Sequence, residues 1–427
     1  MFKFIHAADI HLDSAREGVH RELNAPAMEI QHAPRRAFQN LVRLAIEERV
    51  AFVLIAGDLY DGNWPDFHTG LFFLEQAAKL NEAGIRVFLV AGNHDAANHM
   101  TRTLMLPAGD KIKMFDARSP ETLVLDDLRV AIHGQSFQSR AIISDLAQGF
   151  PAAMSGCFNI GLLHTCASYA GGEHDRYAPC SVETLVSKRY DYWALGHIHK
   201  RQDLRRSEDE PPIMFPGNLQ GRTVRETGPK GCVLVTVDDD HGVDVQFRAV
   251  DVLRWEVCRV DVRKAKQPDD VVQNVGQSLA GLIDASDNRP LAVRIELEGA
   301  CPAHRQLVAE PNRWSAEIQA AALHLGSDRL WIERVVRKTS MPSSKDSLAD
   351  IEGPVGELCE FIAEMQSEKQ SLEMLSEALR PLLSKLPAEL TEGPSSLGLD
   401  SEECLRELLD DARQLLIQRI HVAGETA

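Results

Sequence analysis

Phe52-Val-Leu-Ile-Ala-Gly-Asp58 is the stretch that decides the fold, because five consecutive apolar residues run directly into a glycine and an acid. An unbroken apolar run of this length predicts a strand that is buried on both faces, as in a parallel sheet. Asp58 then falls where the strand ends and the loop begins. In open α/β sheets, binding sites form just outside the carboxyl ends of the strands. Asp58 is therefore a candidate site residue as well as a turn residue.

Four further apolar runs, at 4–8, 87–92, 160–163 and 192–196, end in polar side chains in the same way. The residues that follow them are Asp9 and His11, then Asn93, His94 and Asp95, then His164, and finally His197 and His199. Because parallel strands share one carboxyl edge, we expect these side chains to converge. Imidazoles, carboxylates and an amide, without a thiolate, suit divalent ions such as Mn, Fe or Zn.

The candidate ligands outnumber the needs of a single ion. Two ions that share one carboxylate would use them all, and Asp58 is the obvious bridge. Two metals ~3.5–4 Å apart can activate a water molecule and stabilise an in-line displacement at phosphorus. Each motif alone has a plainer explanation, since Gly57-Asp58 could be a turn and His197 and His199 could simply alternate along a strand end. The five motifs together, in this order, indicate a metal site.

The first 255 residues predict a layered α/β domain. Helical periodicity at 34–50 and 66–83 alternates with the first strands, and closely spaced strands at 213–218 and 231–237 suggest a second sheet. We therefore predict a four-layer α/β/β/α sandwich over residues 1–255.

Two smaller regions are expected after this sandwich. Residues 256–338 alternate short strands and helices without a ligand cluster, which predicts an α+β capping domain. A polar, serine-rich linker then leads to 341–427, where leucine stripes at 372–386 and 405–420 predict amphipathic helices. These helices either bind a partner or pack on the chain's own capping domain.

Net charge and cysteine usage restrict the functional class. The formal net charge is −17, but residues 341–427 alone hold 18 acidic and 7 basic residues, so the acidity belongs mainly to this tail. Eight scattered cysteines without a Cys-x-x-Cys pair indicate reduced thiols. No apolar run approaches the ~20 residues of a membrane helix, and the amino terminus lacks signal-peptide features. We expect a cytoplasmic protein with no membrane association.

Several of these motifs resemble those of the calcineurin-type metallophosphoesterases: Asp9-Ile-His11, Gly57-Asp58, Gly92-Asn-His-Asp95, Leu163-His164 and Gly196-His-Ile-His199. Ala194-Leu-Gly-His-Ile-His-Lys200 and Phe215-Pro-Gly-Asn218 are similar to the DNA-repair nuclease branch, which includes SbcD. His164-Thr165 with Tyr177-Ala-Pro-Cys180 is similar to the YhaO-like exonucleases within that branch. The resemblance covers roughly the first 255 residues with specific motifs.

The resemblance implies two metal sites and a role for each neighbouring residue. One ion would be held by Asp9, His11, Asp58 and His199, and the other by Asp58, Asn93, His164 and His197. His94 would orient the phosphate or protonate the leaving oxygen as a general acid. Asp95 would fix the tautomer of His94, and Lys200 or Arg201 would contact the phosphodiester. Mn²⁺ is the preferred ion, with Fe or Zn as alternatives.

The resemblance also implies DNA as the substrate, a homodimer, and a partner ATPase with a long coiled coil that binds helices after the capping domain. One departure is notable, because SbcD-type nucleases commonly carry His three residues after the bridging Asp and this chain has Asp61. This departure would affect contacts with DNA. Two rivals to a repair exonuclease follow: a small-substrate phosphatase or cyclic-nucleotide phosphodiesterase, and a partner-dependent subunit with a weak nuclease site.

Overall fold

The structure is a computed structural model, and it describes residues 1–13, 27–61, 68–97, 111–167, 177–326, 329–342, 354–383 and most of 401–416. The chain divides into two compact units. The first contains residues 1–260, 272–297 and 315–338, and the second contains 261–271, 298–314 and 339–427. The predicted linker beyond residue 342 and the loop at 393–398 lie outside the described residues.

The strands form two six-stranded sheets and one three-stranded sheet. The first sheet has the order β12-β11-β1-β2-β3-β4, with β1 (Phe2–Ala7), β2 (Phe52–Ala56), β3 (Arg86–Val90), β4 (Ile112–Met114), β11 (Gly231–Val237) and β12 (Val243–Ala249). The second has the order β5-β6-β7-β8-β10-β9, with β5 (Glu121–Leu125), β6 (Val130–Gln135), β7 (Phe158–His164), β8 (Tyr192–Gly196), β9 (Gln202–Asp203) and β10 (Ile213–Phe215). The third consists of β13 (Arg254–Asp261), β14 (Leu291–Ala300) and β15 (Leu330–Ser340).

Helices lie between and after these strands along the chain. Within the described residues they are α1 (Ala27–Glu47), α2 (His68–Glu82), α3 (Asn93–Ala97), a 3-10 helix (Leu146–Gly149), α4 (Val182–Ser187), α5 (Pro268–Asp284), α6 (His304–Ala309), α7 (Pro311–Gly326), α8 (Pro354–Ser367) and α9 (Lys369–Leu383). None of these helices has the length and apolar character that a membrane crossing requires.

Alternating side chains of β2 show how the layers form. Phe52 and Leu54 pack between the two large sheets, in a cluster that includes Phe4, Phe88, Phe158 and Tyr192. Val53 and Ile55 point to the opposite face and pack against α1 and α2. On the far side of the second sheet, Trp193 and Leu195 pack against Leu185 of α4. The predicted four-layer α/β/β/α fold is confirmed.

The predicted start of the first helix was wrong, because α1 begins at Ala27 and contains Pro34 in its interior. Proline lacks a backbone N–H and normally ends or kinks a helix. The extra turn carries Ile30, which packs against Trp255 and Trp331. Burial of these aromatic side chains offsets the missing hydrogen bond, a tertiary effect that local sequence does not reveal.

In the second unit, the described members of the two leucine stripes of the acidic tail pack against one another. Leu372 of α9, Ile362 of α8, and Leu405 and Leu409 form one buried cluster. Among the described residues, every member of this cluster and every apolar residue packed on it lies between positions 358 and 409. Within the described residues, this part of the two stripes therefore forms a helical core inside the second unit, while Leu408 and Leu416 stay partly exposed.

Candidate metal centre

The carboxyl ends of the central strands lie side by side. In the first sheet Ala56 pairs with Val90 in parallel register, and in the second sheet His164 pairs with Gly196. The two sheets meet at this edge, because Nδ1 of His164 lies 2.9 Å from the carbonyl oxygen of Ala56. A carbonyl can only accept, so this imidazole donates from Nδ1 and its Nε2 is left to bind a metal.

Four of the predicted ligands have a strained backbone. Asp9, His11 and Asp58 have φ angles of 50°, 48° and 49°, and His197 has a φ angle of 103°. Such left-handed conformations are uncommon for residues other than glycine, and they cluster at functional sites. Hydrogen bonds hold the strained turn in place: the amide of Asp9 donates to Gly57 at 3.1 Å, and that of His11 donates to Asp58 at 3.0 Å.

Glycine is required at two positions where the backbone passes close to these side chains. Gly57 has a φ angle of 90°, and a Cβ atom there would overlap the ring of His164. At Gly196 a Cβ atom would overlap the carbonyl oxygen of Ala56. A side chain at either position would push the two sheets apart at the edge that carries the candidate ligands.

Asp9, His11 and His199 form the first group of candidate ligands, with one ligand atom from each within 4.8 Å of the others. The Nε2 atoms of His11 and His199 lie only 3.1 Å apart. Nδ1 of His199 lies 2.7 Å from Glu226 and donates to it, so the Nε2 atom of His199 is the one that faces the cluster. Burial lowers the pKa of His11 well below its ordinary value, and the charge of Arg222 lowers it further. The neutral imidazole of His11 is ready to bind a cation.

Asp58 belongs to two groups, one with Asp9 and His164 and one with His11 and His94. This shared position is the one that a bridging carboxylate would occupy. Asn93 completes the side nearest His164, since its Oδ1 lies 2.9 Å from Nε2 of that ring. Burial opposes ionisation of Asp58, but its contacts with His164 hold its pKa below the ordinary value. Burial opposes charge on His164 as well, yet the carboxylate of Asp58 raises its pKa to about 9.

His197 contacts Asp9 through its backbone amide, and its ring stands edge-on to that of His164. Its amide donates to both carboxylate oxygens of Asp9, at 3.1 and 3.0 Å. Its ring centroid lies 5.2 Å from that of His164. The structure thus brings His197 to the edge of the centre, and its assignment as a ligand stays a prediction.

The expectation that Asp95 fixes the tautomer of His94 was wrong. The carboxylate of Asp95 accepts hydrogen bonds from the backbone amides of Leu59, Tyr60 and Gly92. Asp95 therefore clamps two loops together, and burial raises its pKa to about 6. The partner of the His94 ring is Asp61, whose Oδ1 lies 2.8 Å from Nδ1.

His94 is attached to the centre at two points. Its amide donates to Asp58 at 3.0 Å, and its ring stands edge-on to His11 with centroids 5.1 Å apart. Burial disfavours the charged imidazole, but the hydrogen bond with Asp61 and the charge of Asp58 raise its pKa overall. About a third of the side chain is exposed, so a substrate can reach it.

The structure supports the predicted phosphodiester contacts of Lys200 and Arg201 less well than it supports the metal ligands. Lys200 is exposed. The guanidinium of Arg201 lies over the ring of Phe247, 4.2 Å from its centroid. Arg201 would have to leave this cation–π contact to meet a phosphate, and such contacts contribute ~0.5–1 kcal/mol at exposed sites.

Two residues near the centre were missed by the sequence reasoning. Arg222 lies with its Nη1 atom 2.9 Å from Asp61, and Glu226 meets His199. Both follow the Phe215-Pro-Gly-Asn218 motif, whose Asn218 bridges to Ala8 at the same sheet edge. The strand-end argument, applied also to β10, would have drawn attention to this loop.

The donor set fits divalent metal ions. Carboxylates, an amide oxygen and imidazoles are the ligands that Mn²⁺, Fe and Zn accept, and the outer nitrogens of His164 and His199 are already engaged. Asp9, His11 and His199 would hold one ion, Asn93 and His164 the other, and Asp58 would touch both.

Comparisons with known proteins agree with this geometry. Residues 2–201 match the Calcineurin-like phosphoesterase family, and residues 255–340 match the family described as Metallophosphoesterase YhaO, middle domain. The uncharacterized metallophosphoesterase YhaO of Bacillus subtilis is 37% identical over 303 residues, which are 70% of this chain and 72% of that protein. The chain belongs to the calcineurin-like metallophosphoesterases. It is similar to the YhaO proteins in particular, both at residues 255–340 and over the 303 residues aligned with the Bacillus subtilis protein.

The chain is also similar to proteins that carry other names. The DNA double-strand break repair protein Mre11 of Methanopyrus kandleri is 22% identical over 380 residues, 83% of this chain and 76% of that protein. Mre11 of Archaeoglobus fulgidus is 33% identical over 318 residues, 68% of this chain and 67% of that protein. A dimetal phosphatase structure from Danio rerio covers 58% of this chain and 96% of that one, with a TM-score of 0.35 and 12% identity.

Proposed function

We propose that this chain hydrolyses DNA phosphodiester bonds with two divalent metal ions, Mn²⁺ in first place, as a repair-type exonuclease. The observation that carries the proposal is the convergence of Asp9, His11, Asp58, His164 and His199 at one sheet edge. The relatives named as DNA double-strand break repair proteins support DNA over a small substrate.

The residues would divide the chemistry as follows. The metal ions, when bound, supply the activation of the attacking water and the neutralisation of charge at phosphorus. His94 holds a proton on the substrate-facing side and delivers it to the leaving oxygen, because its other nitrogen is engaged by Asp61. The strained loops at Asp9 and Asp58 fix the ligand carboxylates before substrate arrives.

One assay distinguishes the candidate activities. Purified protein with Mn²⁺ is incubated in parallel with single-stranded DNA, double-stranded DNA and a cyclic nucleotide, and each reaction is repeated with a chelator. We expect shortening of DNA that the chelator abolishes, with the cyclic nucleotide left intact. Turnover of the cyclic nucleotide alone would identify a small-substrate enzyme, and turnover of DNA only after a partner is added would identify a partner-dependent subunit.

Salt dependence provides a separate check on the substrate. If the chain contacts about four phosphates of duplex DNA, its affinity should fall about 10²-fold between about 50 and 200 mM salt, because bound counterions are released. Fluorescence anisotropy with a labelled duplex measures this slope. A flat response would favour a small-molecule substrate.

The acidic helical subdomain is the proposed docking site for the coiled-coil ATPase. It has its own buried cluster of leucines, and it retains Phe361 and Met374 as exposed apolar side chains, at 58% and 60%. Its negative charge could steer a basic partner surface.

Truncation after Met341 tests this assignment. The deletion removes both sides of the Leu372 cluster together, so we expect a soluble, metal-loaded protein whose melting temperature changes little and which no longer co-purifies with the ATPase. Size-exclusion chromatography, a thermal melt and co-purification report the three properties. Aggregation, or a much lower melting temperature, would show that the helices belong to the core of the remaining chain.

A further inference from the structure

Five side chains form a connected path along the outside of the candidate metal centre. Nδ1 of His94 lies 2.8 Å from Oδ1 of Asp61, whose Oδ2 lies 2.9 Å from Nη1 of Arg222. Nη2 of Arg222 lies 3.4 Å from Oε1 of Glu226, which lies 2.7 Å from Nδ1 of His199. The path therefore joins the imidazole proposed for proton transfer to one of the proposed metal ligands.

Arg222 occupies the middle of this path, between two carboxylates. A guanidinium is planar and has donors on separate nitrogens, so it can hold two carboxylates in fixed directions, whereas an ammonium group acts as a single point charge. The surroundings are largely shielded from water, because only 24% of the Arg222 side chain, 21% of Asp61 and 13% of Glu226 are exposed. The ion pairs are consequently less screened than pairs on the open surface.

The loop that carries Arg222 is itself tied to Glu226. The backbone amide of Arg222 donates to Oε2 of Glu226 at 2.7 Å, and Nδ2 of Asn218 donates to the same oxygen at 3.0 Å. Glu226 is thus an anchored carboxylate that accepts from His199 on one side and faces Arg222 on the other.

We propose that Arg222 is a positioning residue that holds both ends of the metal centre at once. Through Asp61 it fixes the ring of His94, and through Glu226 it fixes the tautomer of His199 so that Nε2 faces the ligand cluster. The first of these effects rests on the proposed phosphodiester hydrolysis, whereas the second concerns metal binding alone.

This arrangement predicts a distinct result for each of three substitutions. Asp61→Ala should lower kcat and should weaken Mn²⁺ binding less than Glu226→Ala does, because Asp61 contacts the ring of His94 directly and is joined to His199 only through Arg222 and Glu226. Glu226→Ala should weaken Mn²⁺ binding through His199. Arg222→Met should lower both quantities, each by about 10–100-fold, which is the usual effect of losing a group that orients a ligand. Arg222→Lys should give the same pattern with smaller losses.

Arg86→Met is the matched control. Arg86 also forms an ion pair with one carboxylate, donating to Asp127 at 2.9 and 3.0 Å, and its exposed fraction of 21% is close to that of Arg222. It is the first residue of β3 and so lies at the opposite end of the strand from the metal centre. The control should keep the wild-type kcat and Mn²⁺ affinity.

Two measurements test the proposal: titration calorimetry with Mn²⁺ alone, and kcat on bis(p-nitrophenyl) phosphate at saturating Mn²⁺, with circular dichroism to verify folding. The double variant Arg222→Met with Glu226→Ala should bind Mn²⁺ as weakly as Glu226→Ala alone, since both act on His199. Wild-type Mn²⁺ affinity in folded Arg222→Met, or fully additive losses in the double variant, would overturn the proposal. If the wild-type chain hydrolysed no phosphodiester, the proposed function would fail, while the Mn²⁺ titrations would still decide the role of Arg222.

Discussion

The Asp58→Asn variant is expected to lose hydrolysis by about 10³-fold or more and to bind fewer than two ions per chain. Asp58 shares one group of ligand atoms with His164 and another with His11. A neutral amide there would weaken both ions, and each ion contributes several kcal/mol to the stabilisation of the transition state. Elemental analysis of the purified variant and its kcat on a phosphodiester measure the two effects.

The fold should survive this change, since Asn keeps an oxygen that can accept the hydrogen bond from the amide of His94. Asp127→Asn serves as the control, because it alters a carboxylate that pairs with Arg86 at the distant end of the strands. An active Asp58→Asn protein with two metals per chain would contradict the bridging role.

The His94→Ala variant is expected to keep both metals and to lose about 10²–10⁴-fold in kcat, the range typical of general acid–base catalysis. The metals should remain because the contact between His94 and Asp58 is made by the backbone amide, which alanine retains. Metal content and kcat at saturating Mn²⁺ separate the two effects.

One ring nitrogen of His94 also lies within 4.8 Å of a ligand atom of His11 and of Asp58, so the three residues could share one ion. Loss of one ion from His94→Ala would therefore make His94 a ligand and remove its proposed role as an acid. The double variant His94→Ala with Asp61→Ala should be no slower than His94→Ala, since Asp61 acts through this ring.

The sequence predicted the location of the centre well, for a simple physical reason. Apolar runs such as 52–56 mark buried strands, and parallel strands end at a common edge, so Asp58 and His164 could be placed near each other although they are far apart in the chain. The same reasoning predicted the layered sandwich, because both faces of β2 are apolar and must be covered by other elements of the fold.

The contacts around His94 could not be predicted in this way. Asp61 and Asp95 both lie near the ends of relevant strands, and only the path of the loop decides which carboxylate meets the ring. Arg222 and Asp61 are 161 residues apart, in loops without periodicity, so no local pattern connects them. The start of α1 on the amino-terminal side of Pro34 was missed in the same way, because Ile30 packs against Trp255, which is distant in the sequence.

A crystal grown with Mn²⁺ and measured at a wavelength where manganese scatters anomalously tests the dinuclear centre most directly. The account predicts two anomalous peaks ~3.5–4 Å apart, with the carboxylate of Asp58 in contact with both. It also predicts His199 on one peak and His164 on the other. A single peak, or two peaks that Asp58 does not join, would contradict the account.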